Sequence, residues 1–327
     1  MPDIQPPPQT QTRPIAAIPS RSAARTPRAG WIIAAALIIL GAAVPLALGG
    51  YWLGVFTTAF YFAVFAMAWD LLFGFAGMVN FGPTFLIGLG AYGAGLLNNA
   101  GLGIPLALAG GTAAAIVGGL LLALPALRLR GPYFGLITLV AVLLLLDCIV
   151  IFAGVTGGEI GMMVPDVLSV SAQANYWYSF GFMVVSAAIL FGISRSALGL
   201  ILQATGQDPV EAAALGFNVT KFRVAAFCIS AFFSGLAGGM LTFYQGTASV
   251  DTVVDLSIAV QIIIAVVFGG RRTIVGAILG AIFLILFDEL LRPLGELNTF
   301  VVSAIALVVI LFFPDGVLGR LFRARGQ

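Results

Sequence analysis

The chain has 327 residues, of which 61% are hydrophobic and 9% are charged, and its formal net charge is +2. A soluble domain carries about a quarter charged residues, so this composition excludes a soluble globular protein and predicts a polytopic membrane protein. The sequence has no histidine, which removes the commonest general base and metal ligand. The small net charge gives no indication of a nucleic-acid partner.

The first 30 residues are rich in Pro, Gln, Thr and Arg, a composition typical of a disordered tail. The apolar run over residues 31–48 that follows is long enough to span a bilayer. A secretory signal is the alternative interpretation, but no small-residue cleavage site follows the run at the usual distance. We therefore expect a basic, proline-rich cytoplasmic tail over residues 1–30 and an uncleaved first helix.

Further apolar runs predict additional membrane-spanning helices, and some are shorter than the ~20 residues of a straight span, which is typical of broken or re-entrant elements. They lie at residues 52–73, 81–98, 104–127, 133–153, 177–194, 224–244, 256–269, 274–291 and 300–313. The membrane domain is therefore expected over residues 31–313. A short basic tail over residues 314–327 completes the chain.

The basic residues support this topology. With ten crossings and a cytoplasmic N-terminus, 14 of the 15 Lys and Arg residues fall on the inner side and only Arg292 falls outside, as the positive-inside rule requires. Both termini are therefore expected in the cytoplasm. The turn over residues 74–80 carries no charge, which leaves open that the second and third runs form one re-entrant unit. We expect about 8–10 transmembrane helices.

Glycines and Pro83 interrupt the apolar run over residues 74–95. Such glycines either let helix backbones approach closely or mark an unwound segment that lines a polar path through the membrane. The polar residues nearby are Asp70, Asn80, Thr84 and Tyr92. An intramembrane acid is a functional hypothesis by default, but Asp70 lies near a predicted span end, where it can also meet water. The same two readings apply to Asp147 in the fifth predicted span.

The segment from Asp208 to Leu215 predicts a short helix outside the membrane. Asp208 is a good N-cap, Pro209 suits the first helical position, and Glu211 completes a capping-box pattern. Gly216 can adopt the left-handed conformation that ends a helix. This helix is too short to cross a bilayer, and it either docks into a groove on a soluble partner or lies on the lipid headgroups.

Several functional motifs are absent from the sequence. It has no phosphate-binding loop and no Gly-x-Ser-x-Gly motif, so an ATP-driven activity needs a motor on another chain. The two cysteines, Cys148 and Cys228, lie in apolar runs without a partner at metal-binding or redox spacing. We expect both to be buried, unreactive thiols.

Short motifs that follow one another in a fixed order cover almost everything after residue 50. They are Gly74–Gly77, Gly88–Tyr92, Leu127–Leu139, Thr156–Gly158, Ser196–Tyr244 with Gly216–Thr220 inside it, Phe268–Gly270, Gly280–Ala281, Glu289–Leu291 and Pro314–Gly316. Each motif alone is weak, but the ordered set is specific. In this respect the chain resembles the LivM-type permease subunit of branched-chain amino-acid ABC importers.

The resemblance implies an all-α fold, a polytopic helical bundle of the type II ABC importer-like permeases in the bacterial inner (plasma) membrane. It implies a transport subunit without catalytic residues, metal or bound cofactor, with ATP and Mg²⁺ on partner subunits. The implied partners are a LivH-like second permease, two LivG/LivF-like ATPase subunits, a periplasmic substrate-binding protein and the lipid bilayer.

The resemblance also decides between the two roles left open for the short helix that begins at Asp208. It favours a coupling helix that contacts the ATPase over residues 208–218, through Asp208, Pro209, Glu211, Ala212, Ala213, Leu215 and Gly216. Candidates for the substrate path are Asp70, Asn80, Thr84, Tyr92, Tyr133 and Thr138.

Some positions depart from the pattern of the resembled family. Arg271-Arg272-Thr273 replaces a Gly-Ser/Thr-type turn. Asp70 stands where relatives usually have asparagine, and Pro83 and Thr84 replace the small or aromatic polar residues that commonly follow Gly82. The last two departures lie in or beside the glycine-rich run that is expected to face the path. Leucine, isoleucine and valine are therefore one substrate class among several, with amides, urea and aromatic acids as alternatives. A sugar-type permease of the same fold and a stand-alone channel or secondary carrier are the competing functions.

Overall fold

The structure, a computed structural model, describes residues 28–126 and 133–295, and these residues form a bundle of helices. The predicted last span (300–313) and the tails over residues 1–27 and 314–327 lie outside this range. The helices are α1 (Arg28–Ala47), α2 (Gly50–Asp70), α3 (Pro83–Asn99), α4 (Ile104–Ala126), α5 (Tyr133–Ile151), α6 (Ala153–Thr156), α7 (Ala172–Arg195), α8 (Ala197–Gln207), α9 (Pro209–Ala214), α10 (Val219–Gln245), α11 (Val250–Val253), α12 (Leu256–Gly269) and α13 (Ile274–Leu291).

Three smaller elements complete the described chain. A single π-helical turn, Leu71–Phe75, extends α2, and a 3₁₀ turn, Arg292–Leu294, follows α13. Strands β1 (Met162–Met163) and β2 (Thr247–Ala248) pair antiparallel, with Met162 opposite Ala248.

Seven helical segments in the described range are long and apolar enough to cross a membrane, in agreement with the predicted polytopic fold. They are Gly50–Phe75, Ile104–Ala126, Tyr133–Ile151, Ala172–Arg195, Val219–Gln245, Val250–Gly269 and Ile274–Leu291. Because successive long helices alternate in direction, the bundle has two ends. We call them the α9 end, which carries α8 and α9, and the sheet end, which carries β1 and β2.

Helix α3 runs between the two ends, so the second and third predicted runs do not form a re-entrant unit. At its start, the Phe81 backbone N–H donates to Thr138 Oγ1 in the first turns of α5 (3.0 Å). At its other end, Asn98 Nδ2 donates to Asp166 Oδ2 beside the sheet (2.7 Å). Its 17 residues extend about 25 Å at 1.5 Å per residue.

Helix α2 is the centre of the bundle. From Ala59 to Leu72 its residues are all buried, and its partners are α7, α10, α12 and α13. A helix that is apolar around its whole circumference has no face suited to water, so it is stable only when other helices or lipid surround it. The sequence of α2 thus dictates its central position.

Glycines bring α3, α4 and α10 into backbone contact. A Cβ built on Gly90 would collide with the backbone of Gly235 in α10, and one built on Gly111 in α4 would lie 2.5 Å from the Gly90 carbonyl oxygen. Small residues at helix contacts allow this approach in membranes, where dispersion forces between closely packed backbones hold helices together. The close-packing interpretation of the glycine-rich run therefore holds for its α3 part.

The outward faces of α4 and α5 are apolar and uncovered, with Leu121, Val140 and Leu144 among the exposed side chains. Cys148 lies on the same outward surface of α5 and is exposed, whereas Cys228 in α10 is half-buried. The prediction that both thiols are buried was wrong for Cys148, because an apolar run in a membrane protein can face lipid as well as the protein core. Asp147, its neighbour, is exposed too.

Candidate functional site: the α8–α9 segment and the broken helix

The short helix predicted after Asp208 is present as α9. Asp208 Oδ1 accepts the backbone N–H groups of Val210 (2.8 Å) and Glu211 (3.0 Å), and Pro209 opens the helix. Gly216 ends it in the left-handed conformation, with φ +89°. The reciprocal half of the capping box is not formed, because the Asp208 N–H donates to the Ala204 carbonyl and leaves no donor for the Glu211 side chain.

Helix α8, which the sequence analysis missed, leads directly into α9. Only Asp208 separates the two helices. One face of α8 is buried through Gly199, Leu202 and Thr205, while Leu200 is exposed. The sequence does contain a signal for α8: small or apolar residues recur every three positions after the cap residue Ser196. Helix α9 is therefore not an isolated element but the continuation of a helix packed on the bundle.

Helix α9 exposes apolar side chains at the end of the bundle. Val210 and Leu215 are each 76% exposed, whereas Ala212 is buried. A partner groove or the lipid headgroup region would both cover such side chains. The geometry by itself therefore leaves both predicted roles of α9 open. Ala213, the remaining predicted contact residue, is exposed beside them.

A break in the helical chain connects α2 to α3, where the sequence indicated an unwound segment. After the π-turn Leu71–Phe75, residues 76–82 are non-helical until Pro83 starts α3. We call residues 71–82 the broken segment. π-turns of this kind recur at functional sites, because they leave a carbonyl group without its usual helical partner.

Two predicted path residues, Asn80 and Thr138, hold the broken segment in place. The buried Asn80 side chain accepts the Gly82 N–H through Oδ1 (2.8 Å), and the Asn80 carbonyl accepts Trp69 Nε1–H (2.7 Å). Thr138 accepts the Phe81 N–H and donates to the Gly135 carbonyl (2.7 Å). Asn80 Oδ1 and Thr138 Oγ1 are therefore engaged with backbone groups in this conformation.

Asp70, the last residue of α2, directly precedes the broken segment and is fully buried. Its Oδ1 accepts the backbone N–H of Arg272 in the turn between α12 and α13 (3.0 Å). Its Oδ2 has no hydrogen-bond partner among the described residues. The alternative that Asp70 meets water at a span end does not fit this burial. A side chain at position 74 would collide with the Asp70 carboxylate, so Gly74 is required beside it.

Arg271 and Arg272, which in the sequence stand out only as departures from a family pattern, both contact the broken segment. Arg272 Nε donates to the Gly74 carbonyl (2.7 Å). The guanidinium carbon of Arg271 lies 5.2 Å from the centroid of the Phe73 ring, a cation–π contact. No local signal could have paired these residues, because the Asp70–Arg272 bond joins positions 202 residues apart.

Thr84 and Tyr92, also predicted path residues, lie on one face of α3, four residues on either side of Gly88. Both hydroxyls are buried and have no hydrogen-bond partner within the described part of the chain. A Cβ on Gly88 would lie 2.7 Å from Val254 and 2.9 Å from Leu145, so this face looks towards α5 and the α11–α12 junction. Buried polar atoms without partners are rare and call for a functional explanation.

The six predicted path residues therefore fall into separate groups. Asp70, Asn80 and Thr138 surround the broken segment near the α9 end. Thr84 and Tyr92 extend from there along α3. Tyr133, the first residue of α5, is 63% exposed and belongs to neither group.

Contact between the broken segment and α8 is backbone to backbone. A Cβ on Gly77, where φ is +67°, would lie 2.6 Å from the Gly206 carbonyl oxygen. A Cβ on Gly206 would lie 2.6 Å from the Phe75 carbonyl oxygen. Both positions thus require glycine, and the last turn of α8 rests directly on the broken segment, two residues before the cap of α9.

Comparison with known proteins finds similarity along nearly the whole chain. Residues 51–314 match a family described as branched-chain amino acid transport system / permease component. The chain is 28% identical over 320 residues to the high-affinity branched-chain amino acid transport system permease protein LivM of Escherichia coli (strain K12), which covers 86% of this chain and 73% of that protein. The LivM protein of Salmonella typhimurium is 27% identical, and the match again covers 86% of this chain and 73% of that protein.

Shorter similarities extend to other permeases. The LivH permease protein of Escherichia coli (strain K12) is 28% identical over 150 residues, 45% of this chain and 47% of that protein. The fructose import permease protein FrcC of Rhizobium meliloti is 29% identical over 144 residues, 42% of this chain and 40% of that protein. No solved structure matches the chain.

Proposed function

The chain belongs to the permease component family of branched-chain amino acid transport systems, and we propose that it is a membrane-spanning subunit of an ATP-driven importer of branched-chain amino acids. The observation that carries the proposal is the similarity to LivM over 86% of the chain. The sugar-permease similarity covers about half as much of the chain, which favours an amino acid over a sugar as substrate. The apolar helices of the bundle fit the role of the membrane-spanning part.

Partner subunits supply what this sequence lacks. The sequence carries no phosphate-binding loop, so ATP and Mg²⁺ act on two ATPase subunits of the LivG/LivF kind. A LivH-like permease completes the membrane part, and a periplasmic protein delivers the substrate. The basic residues set the orientation in the bacterial inner membrane, with both termini and the α9 end in the cytoplasm.

Helix α9 is the proposed contact with an ATPase subunit. Its exposed Val210 and Leu215 offer an apolar surface, and Glu211 adds a charge in the first turn. An ATPase that changes conformation on binding and hydrolysing ATP displaces α9, and α8 carries the displacement into the bundle. Transport then proceeds by alternating access, with no chemical step on this chain.

Thr84 and Tyr92 are the best-supported polar groups of the substrate path. An amino acid brings an ammonium and a carboxylate group into the membrane, and both need polar partners there. The two buried hydroxyls have no partner in the described residues and are therefore available to a substrate that passes between α3 and α5.

Reconstitution tests the proposal. The complex with its partner subunits is incorporated into lipid vesicles, and the uptake of leucine, isoleucine and valine is measured with and without ATP. We expect uptake that requires ATP, and ATP hydrolysis that these amino acids stimulate through the binding protein. Passage of solute through the chain alone, without ATPase subunits, would instead identify a channel or secondary carrier.

Competition measurements in the same vesicles address the substrate class. An excess of urea, a short-chain amide or fructose should leave leucine uptake unchanged. Stimulation of ATP hydrolysis by one of these compounds, and not by branched-chain amino acids, would contradict the proposed substrate.

A further inference from the structure

The turn between α12 and α13 contacts the end of α2 and the start of the broken segment at three points. Arg272 donates its backbone N–H to Asp70 Oδ1 (3.0 Å) and its Nε–H to the Gly74 carbonyl (2.7 Å). Arg271 places its guanidinium over the ring of Phe73. All three contacts fall on one turn of chain, at the point where α2 changes from α-helical to π-helical geometry. We call this set of contacts the arginine clamp.

Arg272 adopts an unfavourable backbone conformation to make these contacts. Its φ of +63° makes it the one non-glycine residue with positive φ in the described part of the chain. Left-handed backbone is unfavourable for a residue with a Cβ and persists where surrounding interactions impose it, often at functional sites. Glycine would fit this turn without strain, whereas the arginine side chain adds the bond to the Gly74 carbonyl.

The clamp reaches the far side of the broken segment through aromatic rings. Phe73, beneath Arg271, stacks on Trp69 with 4.6 Å between ring centroids. Trp69 in turn donates its indole N–H to the Asn80 carbonyl. The clamp therefore fixes the π-turn, and through Trp69 it restrains the end of the segment that joins α3.

Helix α8 contacts the broken segment at a different site. Gly206 contacts Phe75 and Gly77 at the junction between the π-turn and the non-helical residues. A shift of α8 must move this junction, because both backbones are in contact and neither position has room for a side chain. The broken segment thus lies between α8 on one side and the α12–α13 turn on the other.

We propose that Arg272 is a positioning residue of the transport cycle, because it anchors the π-turn so that a displacement of α8 and α9 moves residues 76–82 rather than α2 as a whole. This role rests on the proposed function. With the π-turn held, the displacement acts on the Asn80 and Thr138 contacts at the entrance to the α3 path. Without the clamp, the π-turn moves together with α8. The conformational change of the ATPase then no longer displaces residues 76–82 relative to α2.

The variant Arg272→Gly separates this role from a purely structural one. Glycine relieves the left-handed strain but removes the bond to Gly74, so we expect an apparent melting temperature that is unchanged or higher. In the reconstituted complex, we expect the number of substrate molecules taken up per ATP hydrolysed to fall about tenfold, the factor that corresponds to one good hydrogen bond. Arg195→Gln is the control, since Arg195 is another basic residue whose guanidinium packs on Phe191 of its own helix.

Amide hydrogen exchange gives a readout that needs no partner subunit. The Ala76 and Met78 N–H groups donate to the Leu71 and Leu72 carbonyls (3.1 and 2.9 Å), so their exchange reports opening of the π-turn. In the purified chain, Arg272→Gly should raise their exchange rates about tenfold. Arg195→Gln should leave them unchanged.

The two readouts decide the proposal together. Faster exchange combined with lower uptake per ATP supports it. Faster exchange with normal uptake per ATP would make the clamp a structural contact only, and unchanged exchange would show that no clamp exists; either result overturns the proposal. A wild-type complex without ATP-driven uptake would refute the proposed function itself, which the exchange measurement does not depend on.

Discussion

At the scale of single residues, Asp70 illustrates how burial and partner choice go together. Its carboxylate is enclosed by protein, and the partner is a backbone N–H rather than an opposing side chain. Burial removes water from the carboxylate, and the bond from the Arg272 N–H offsets part of that cost, while Oδ2 has no partner among the described residues. Gly74 has no side chain, which leaves room for the Asp70 carboxylate and for the backbone N–H of Arg272. The spacing Asp70-x-x-x-Gly74 therefore allows the α12–α13 turn to pack against the end of α2.

Substitutions at Asp70 should separate the effect of losing the hydrogen-bond acceptor from the effect of losing the negative charge. Asp70→Ala removes the acceptor of the partly buried Arg272 N–H, and we expect a loss of about 1 kcal/mol in the free energy of unfolding. Asp70→Asn retains an oxygen at the same position and should lose less than Asp70→Ala. Thermal unfolding of the purified chain measures both effects.

Asp147→Ala is the control for this pair, since Asp147 is exposed on the outward surface of α5. Its unfolding should match that of the wild type. An equal loss of stability for Asp70→Ala and Asp147→Ala would contradict the assigned role of the Asp70 contact.

At the scale of elements, α8 and α9 act as one unit. The cap at Asp208 turns the chain between them, and the Gly206–Gly77 contact fastens the unit to the broken segment. The unit combines an exposed tip with a buried base, an arrangement that suits the proposed transfer of a displacement from an ATPase subunit into the bundle.

Two changes in α9 should uncouple ATP hydrolysis from uptake while the protein still inserts into the membrane. Gly216→Pro cannot adopt φ +89° and removes the N–H that donates to the Ala213 carbonyl (3.0 Å), so the end of α9 must shift. Glu211→Lys reverses the charge next to the positive N-terminus of the helix. We expect uptake to fall at least about tenfold, equivalent to ~1.4 kcal/mol of coupling free energy, while hydrolysis continues.

Gly101→Pro is a closely matched control. Gly101 also has a left-handed φ, of +91°, its N–H also donates to the carbonyl three residues earlier (2.9 Å), and its surroundings are also open. It lies in the α3–α4 turn at the sheet end, far along the chain from α9. Normal coupling in Gly216→Pro, or an equal defect in Gly101→Pro, would refute the assignment of α9 as the coupling helix.

At the scale of the whole molecule, the fold was largely predictable from the sequence. Apolar runs indicate membrane spans and glycines indicate close packing, and the predicted helical bundle was confirmed. The predicted family membership was confirmed by the match over residues 51–314. Helix α8 was missed because it is short and only half apolar. The arginine clamp was missed because a bond between Asp70 and Arg272 depends on how α2 and the α12–α13 hairpin pack, which no local pattern encodes.

The same limitation affected the prediction for the cysteines, because hydropathy cannot tell a face that meets lipid from one that meets protein. The two thiols therefore offer a test of the packing of the whole bundle. In the detergent-solubilised chain, we expect a small neutral thiol reagent to modify Cys148 several-fold faster than Cys228, since reagent access follows exposure. The variants Cys148→Ser and Cys228→Ser, each of which retains one thiol, make the two rates separately measurable by mass spectrometry. Equal rates, or faster modification of Cys228, would contradict the placement of α5 on the outside of the bundle. In the assembled complex, slower modification of Cys148 would indicate that a partner subunit covers this face of α5.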